Sequence, residues 1–190
     1  MKTPRRALLC ALIAFSLPAA ANELSDSVKK DYDEHLGAPR DHFHRYPELS
    51  LVEFETAKRM AAELRAAGFD VTEGVGGTGV VAIMKNGNGP LVMMRADMDG
   101  LPVEESSGLP NESRNKQVDP ITGNEVFVMH ACGHDVHITS LVGTARQMAA
   151  RRDDWSGTLM LVVQPAEERV LGARAMRADN LWQRFGTPEY

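Results

Sequence analysis

Residues 158–164, Thr-Leu-Met-Leu-Val-Val-Gln, form a short apolar run closed by Pro165, and no other stretch limits the fold as tightly. A run this short, without alternation and ended by a turn former, reads as a strand buried on both faces. Such a strand needs layers above and below it. Residues 69–72, 79–84 and 91–95 read as further strands, and the turn-rich Asn86-Gly87-Asn88-Gly89-Pro90 between the last two predicts a hairpin. Residues 24–46 read as a polar helix with Gly37 and Pro39 as points of division, and 136–151 and 172–184 as two more helices. Ser50 followed by Glu53 has the form of a capping box, with Leu49 and Phe54 as a hydrophobic staple, so a helix is expected to start near Leu51. Ala57, Met60, Ala61 and Leu64 recur at helical spacing along it, and Gly68 is placed to stop it. Strands alternating with helices predict an α/β fold, a mixed sheet flanked by helices.

The first residues have the layout of an export segment: Lys2, Arg5 and Arg6, an apolar run over residues 7–17, then Pro18 and Ala19-Ala20-Ala21 as a small-residue cleavage site. Residues 1–21 are therefore expected to be a signal peptide, with cleavage after Ala21 and export to the periplasm or beyond the cell. An apolar run of about 11 residues is too short for a membrane span, which needs roughly 20. Losing three cations and no anion takes the formal net charge from −5 to −8. An acidic chain is a poor partner for nucleic acid or an anionic membrane, so neither is expected. Of the two cysteines, Cys10 leaves with the export segment, and Cys132 alone cannot form an intramolecular disulfide. Burial as a small apolar residue or coordination to a metal would account for it.

The densest set of candidate ligands is Met129-His130-Ala131-Cys132-Gly133-His134-Asp135-Val136-His137, between a long loop over residues 97–125 and a predicted helix. Thiolate and imidazole suit zinc and also hold manganese, cobalt or nickel. In an extended segment Cys132 and His134 point to the same side and can meet one ion, His137 falls on the first helical turn, and Asp135 could orient an imidazole. A buried thiol with an N-capping Asp135 accounts for part of this cluster equally well. Glu167-Glu168 follow the buried strand at its carboxyl end, where open α/β sheets place ligands. Adjacent side chains on a turn diverge, so one carboxylate can bind an ion while its neighbour takes a proton from water. Two solvated glutamates at a helix start, stabilised by its dipole, are the commoner arrangement when this pair is taken by itself, but they leave the other cluster unexplained. Asp97 and Asp99, in Arg95-Ala96-Asp97-Met98-Asp99-Gly100-Leu101-Pro102, fit either a polar turn or support of a metal site. Neither a phosphate-binding glycine loop nor a Gly-x-Ser-x-Gly elbow is present.

Taken in order, RADMDGLP, MHACGHDVH and QPAEE, with HRYPELSLVEFETA before them, resemble the metal-dependent aminoacylase and carboxypeptidase superfamily, and its hippurate hydrolase and auxin-conjugate hydrolase branch in particular. The resemblance implies a zinc-peptidase-like catalytic domain, with residues 22–190 as its N-terminal portion and the smaller lid domain absent. It implies two divalent metal ions, Zn, Mn, Co or Ni, with Cys132, His134 and Glu168 as ligands and Glu167 as general base. Asp99 matches an aspartate that supports the metal site. The implied reaction is hydrolysis of the amide bond of N-acyl amino acids such as hippurate. The implied full-length form dimerises through the lid. Relatives usually follow the double glutamate with a glycine-rich stretch, whereas this chain has Arg169-Val170-Leu171-Gly172, and the remaining ligands, both histidines, are expected beyond Tyr190. A portion of this kind is expected to be inactive alone, and a truncated non-enzymatic relative acting as a metal-binding or interaction module is the alternative.

Overall fold

The computed structural model describes residues 17–190, so the first 16 residues of the expected export segment lie outside the described residues. None of the described helices is long and apolar enough to cross a membrane. The N-terminal helical run is not broken at Gly37 and Pro39. It consists of α1 (Leu17–Asp31), one π turn (Tyr32–Leu36) and α2 (Gly37–Arg45), with the wide turn placed just before the glycine. Pro39 has no N–H to donate and its ring crowds the preceding turn, and one added residue in the spiral accommodates it.

Helix α3 (Phe54–Ala66) begins three residues later than the capping-box pattern predicts. The box does not form, because Ser50 donates to Asp99 at 2.6 Å and the Glu53 carboxylate is engaged elsewhere. Glu48 supplies the cap in its place, accepting the N–H groups of Glu55 at 3.3 Å and Thr56 at 2.7 Å near the positive end of the helix dipole. The staple is absent too, since Leu49 is buried while Phe54 is 63% exposed. Ala57, Met60, Ala61 and Leu64 face the core as their spacing requires, and Gly68 ends the turn at φ +87°.

Strands β1 (Asp70–Val75), β2 (Gly79–Asn86), β3 (Leu91–Asp97) and β6 (Gly157–Gln164) form one sheet in the order β1-β2-β6-β3. The expected hairpin between β2 and β3 does not exist, because β6 lies between them, antiparallel to β2 and parallel to β3. The hairpin of the sheet is β1–β2. The glycine-rich connection crosses the start of β6, where Thr158 donates to the Pro90 carbonyl at 2.9 Å and a Cβ on Gly157 would lie 2.6 Å from that oxygen. The loop over 97–125 is irregular apart from a two-stranded ribbon, β4 (Lys116–Val118) with β5 (Glu125–Phe127).

Alternation along β6 builds both layers. Leu159, Leu161 and Val163 pack with Met60, Leu64, Ile138 and Leu141, the last two from α4 (His134–Ala150). Met160 and Val162 face the other way onto Met176 and Leu181, from α5 (Gly172–Ala178) and α6 (Leu181–Phe185). The single helix expected over 172–184 is two, since Asn180 takes a left-handed conformation and Asp179 accepts the N–H of Gly76 at 3.1 Å. The result is the expected mixed sheet flanked by helices, with the ends of β3 and β6 and the start of α4 brought together.

Candidate metal centre

Asp99 is the hub of this meeting point. It is fully buried, and its Oδ2 accepts the Ser50 hydroxyl at 2.6 Å and the Glu168 N–H at 3.0 Å, while Oδ1 accepts the Glu167 N–H at 3.1 Å. Its backbone oxygen faces His134 Nδ1 at 2.8 Å. Burial pushes the Asp99 pKa up, but hydrogen bonds from His134, Ser50 and the two glutamate amides outweigh it and hold the carboxyl below its ordinary range.

A carbonyl oxygen only accepts, so His134 Nδ1 must carry a proton and the neutral ring keeps its lone pair on Nε2. That nitrogen points at Glu167 Oε2, 3.8 Å away, and Glu168 Oε1, 4.0 Å away. One ligand atom from each of His134, Glu167 and Glu168 lies within 4.8 Å of the others. Burial opposes charge on His134, but Asp99, with help from Glu168, outweighs it and raises the imidazole pKa. The two glutamates do not splay apart as their adjacency suggests. Ala166, with φ +45°, turns the chain so that both amides reach Asp99 and both side chains face one histidine.

Cys132 stands at the edge of this trio and is not one of the three mutually close donors. The Cys132–His134 segment is not extended, because Gly133 is left-handed at φ +75° and caps α4. The thiol is exposed and faces Glu168, whose carboxylate, followed by burial and the charges of Glu167 and Asp99, raises its pKa. A cation at this point would reverse that sign, since thiolate forms readily beside a metal. Imidazole, carboxylates and a nearby thiol in an anionic pocket are the donor chemistry of a borderline divalent cation. A cleft of about 180 Å³ opens beside Glu168, lined by Leu49, Ser50, Gly100, Leu101, Pro102 and Arg169. A larger cavity of about 790 Å³ between α1 and α4 contains none of these donors.

The other motif residues have separate tasks. Asp97 pairs with Arg95 and lies 3.4 Å from His137 Nδ1, so Asp97 and Asp99 do not act together, and His137 stays outside the trio. Asp135 does orient an imidazole, but that of His44 at 2.9 Å, whose other nitrogen lies 3.3 Å from Glu105. His130 is buried, neither ring nitrogen has a partner among the described residues, and burial chiefly drives its pKa down to about 4. The tasks of Ser50, Glu53, His44 and Glu105 are not evident from the sequence. The one trace of the first two and of His44 is polar residues interrupting apolar ones in HRYPELSLVEFETA, while Glu105 lies unmarked in the long loop.

A mixed sheet flanked by helices that gathers a histidine and two carboxylates where its strand ends meet the start of α4 has the donor set of a metal-dependent hydrolase site. The chain is a member of peptidase family M20/M25/M40, whose model matches residues 93–189. It is 42% identical over 147 residues to a hippurate hydrolase of Campylobacter jejuni, covering 77% of this chain and 35% of the relative. To an IAA-amino acid hydrolase of Arabidopsis thaliana it is 37% identical over 153 residues, covering 80% of this chain and 33% of the relative. Among solved structures it resembles a dinuclear metal-binding peptidase of the M20 family from Bacillus subtilis, with a TM-score of 0.70 and 35% identity, covering 80% of this chain and 41% of the other. The chain thus spans about a third of the length of the curated relatives it matches.

Proposed function

We propose that this chain carries part of the active site of a metal-dependent amidohydrolase that cleaves the amide bond of N-acyl amino acids of the hippurate type. The observation that carries the reading is the convergence of His134 Nε2 with the Glu167 and Glu168 carboxylates at the end of β6. In this reading residues 22–190 are the N-terminal part of the catalytic domain. His134, Glu168 and Cys132 hold two divalent ions of the Zn, Mn, Co or Ni class, together with ligands from outside this chain segment. When bound, the ions polarise the scissile carbonyl and make water acidic enough to attack it.

The chain's own residues divide the remaining work by exposure. The Glu168 side chain is 14% exposed and the Glu167 side chain 42% exposed, which favours Glu168 as the ligand and Glu167 as the group that meets water and substrate. Glu167 takes a proton from the attacking water and returns it to the leaving amine. Asp99 holds both glutamates by their amides and His134 by Nδ1, so the donors are oriented before any ligand arrives. The hippurate hydrolase and IAA-amino acid hydrolase relatives support the substrate class. The basic and apolar start of the sequence supports export to the periplasm or beyond, and the family resemblance supports a lid-mediated homodimer.

The test is hydrolysis of hippurate by the metal-loaded full-length protein that contains residues 22–190, and by its Glu167→Gln and Glu168→Gln variants, with metal content measured alongside. Glu167→Gln is expected to keep its metal and lose activity by a factor on the order of 10² to 10⁴. Glu168→Gln is expected to lose metal. Full activity in Glu167→Gln would reject the base assignment.

A further inference from the structure

Two buried carboxylates join residues 50–53 to the turn at 166–168. Asp99 is one. Glu53 is the other, with no exposed surface: its Oε1 accepts the Leu51 N–H at 3.0 Å and the Ala166 N–H at 2.8 Å, and its Oε2 accepts the Thr78 hydroxyl at 2.6 Å. Leu51 and Ala166 are both non-glycine residues with left-handed backbone, at φ +78° and +45°. L-residues avoid that conformation because Cβ crowds the following carbonyl, so it persists only where surrounding contacts impose it. A single oxygen binds both. Ala166 immediately precedes Glu167, so its backbone angles set the direction in which both glutamates leave β6.

Helix capping does not explain the placement of Glu53. It makes no side-chain cap of α3, whose first amides are taken by Glu48. A fully enclosed carboxylate with no Arg or Lys partner among the described residues is unfavourable unless donors meet it; here three donors reach its two oxygens, although burial outweighs them and raises its pKa. We propose that Glu53 is a positioning residue for the candidate site: its carboxylate fixes Ala166 in the left-handed conformation and thereby aims Glu167 and Glu168 at His134. Its consequence for metal binding rests on the function proposed above. Its geometry does not.

Two measurements on the full chain separate these levels. Amide hydrogen exchange reads the clamp directly: Glu53→Leu is expected to speed exchange at Ala166, Glu167 and Glu168 about tenfold beyond any change in global stability, the value of one lost charge-assisted bond. Glu53→Gln keeps an acceptor oxygen, so it serves where the leucine variant does not fold. It is expected to speed exchange at Ala166 about threefold, because the neutral acceptor is weaker. Cobalt titration, followed through thiolate-to-cobalt charge transfer at Cys132, reads the consequence. Glu53→Leu is expected to weaken cobalt binding about tenfold. Adding Ala166→Gly should recover most of that loss while the melting temperature stays low, because glycine reaches positive φ without a clamp. A residue of merely structural value would show no such rescue. Exchange at 166–168 that follows global stability alone in both variants overturns the clamp. A wild-type chain that takes up no cobalt overturns the metal reading instead, and unaltered cobalt affinity in Glu53→Leu overturns the link between the two.

Discussion

Replacing Asp99 by asparagine tests whether the candidate site is organised by one carboxylate. The four heavy-atom contacts of the Asp99 carboxylate come from donors: the Ser50 hydroxyl at 2.6 Å, the Glu168 N–H at 3.0 Å, the Glu167 N–H at 3.1 Å, and His134 Nδ1 at 3.5 Å. An asparagine amide has one acceptor oxygen and one donor nitrogen. With its nitrogen at the Oδ1 position it confronts the Glu167 N–H and His134, and at the Oδ2 position it confronts the Glu168 N–H. Ser50 can rotate its hydroxyl to accept, but a backbone amide cannot. At least one buried N–H therefore loses its partner in either orientation, at about 1–3 kcal/mol, and the surviving bonds lose the charge that strengthened them. The expected loss is about 3 kcal/mol, a large part of the 5–15 kcal/mol by which a domain is typically stable. Urea denaturation followed by tryptophan fluorescence measures it, with Ser50→Ala as a comparison expected to cost about 1 kcal/mol. A change below about 0.5 kcal/mol in Asp99→Asn, the range of an ordinary surface substitution, would refute the hub.

Three further outcomes follow from the packing. Leu161→Ala, at a fully buried point of the central strand, should destabilise by about 2–5 kcal/mol in the same denaturation assay, since the sheet between two helical layers cannot collapse into the space. Gly157→Ala should lower the melting temperature by several degrees, because its Cβ would sit 2.6 Å from the Pro90 carbonyl at a φ of +120°; an unchanged melting curve would contradict the strand crossing. Burial raises the Asp31 pKa, but the hydrogen bonds and charge of Arg146 outweigh it and leave it lowered. Its contribution is thus fully present above the unfolded carboxyl value of about 3.9 and drains away as pH falls through the lower folded value. Asp31→Asn should accordingly be less stable than wild type at pH 6, with the difference shrinking toward pH 2 in parallel unfolding curves.

The layers were legible because period and burial agree. Leu159, Leu161 and Val163 on one face of β6, Met160 and Val162 on the other, leave no solvent-facing side, so helices on both faces follow from the strand alone. Strand order was not legible, because turn residues reveal that the chain reverses or crosses but not how far. Two strand spacings are about 10 Å, and the five residue steps from Asn86 to Leu91 reach about 17 Å, so the same Asn-Gly-Asn-Gly-Pro connection serves a hairpin or a crossing over β6. What decided it was a tertiary fact, the approach of Gly89 to Gly157, which neither local pattern contains.

The same division runs through the candidate site. His134, Glu167 and Glu168 declare themselves by donor chemistry and by their place at element ends, so their convergence follows once the strand ends meet. Ser50 and Glu53 declare the wrong thing, because a hydroxyl and a carboxylate three apart before an apolar helix satisfy the capping-box pattern whatever they bind. The two uses compete for the same side chains, and burial decides between them. At a solvated helix start the reciprocal cap is the nearest source of donors. Here, Asp99 and the left-handed amides of Leu51 and Ala166 lie within reach of fully enclosed side chains, and leaving those groups unpaired would cost more than leaving a helix end to Glu48. The helix yields three residues at its start, and the turn that carries Glu167 and Glu168 is held by the residues it gives up.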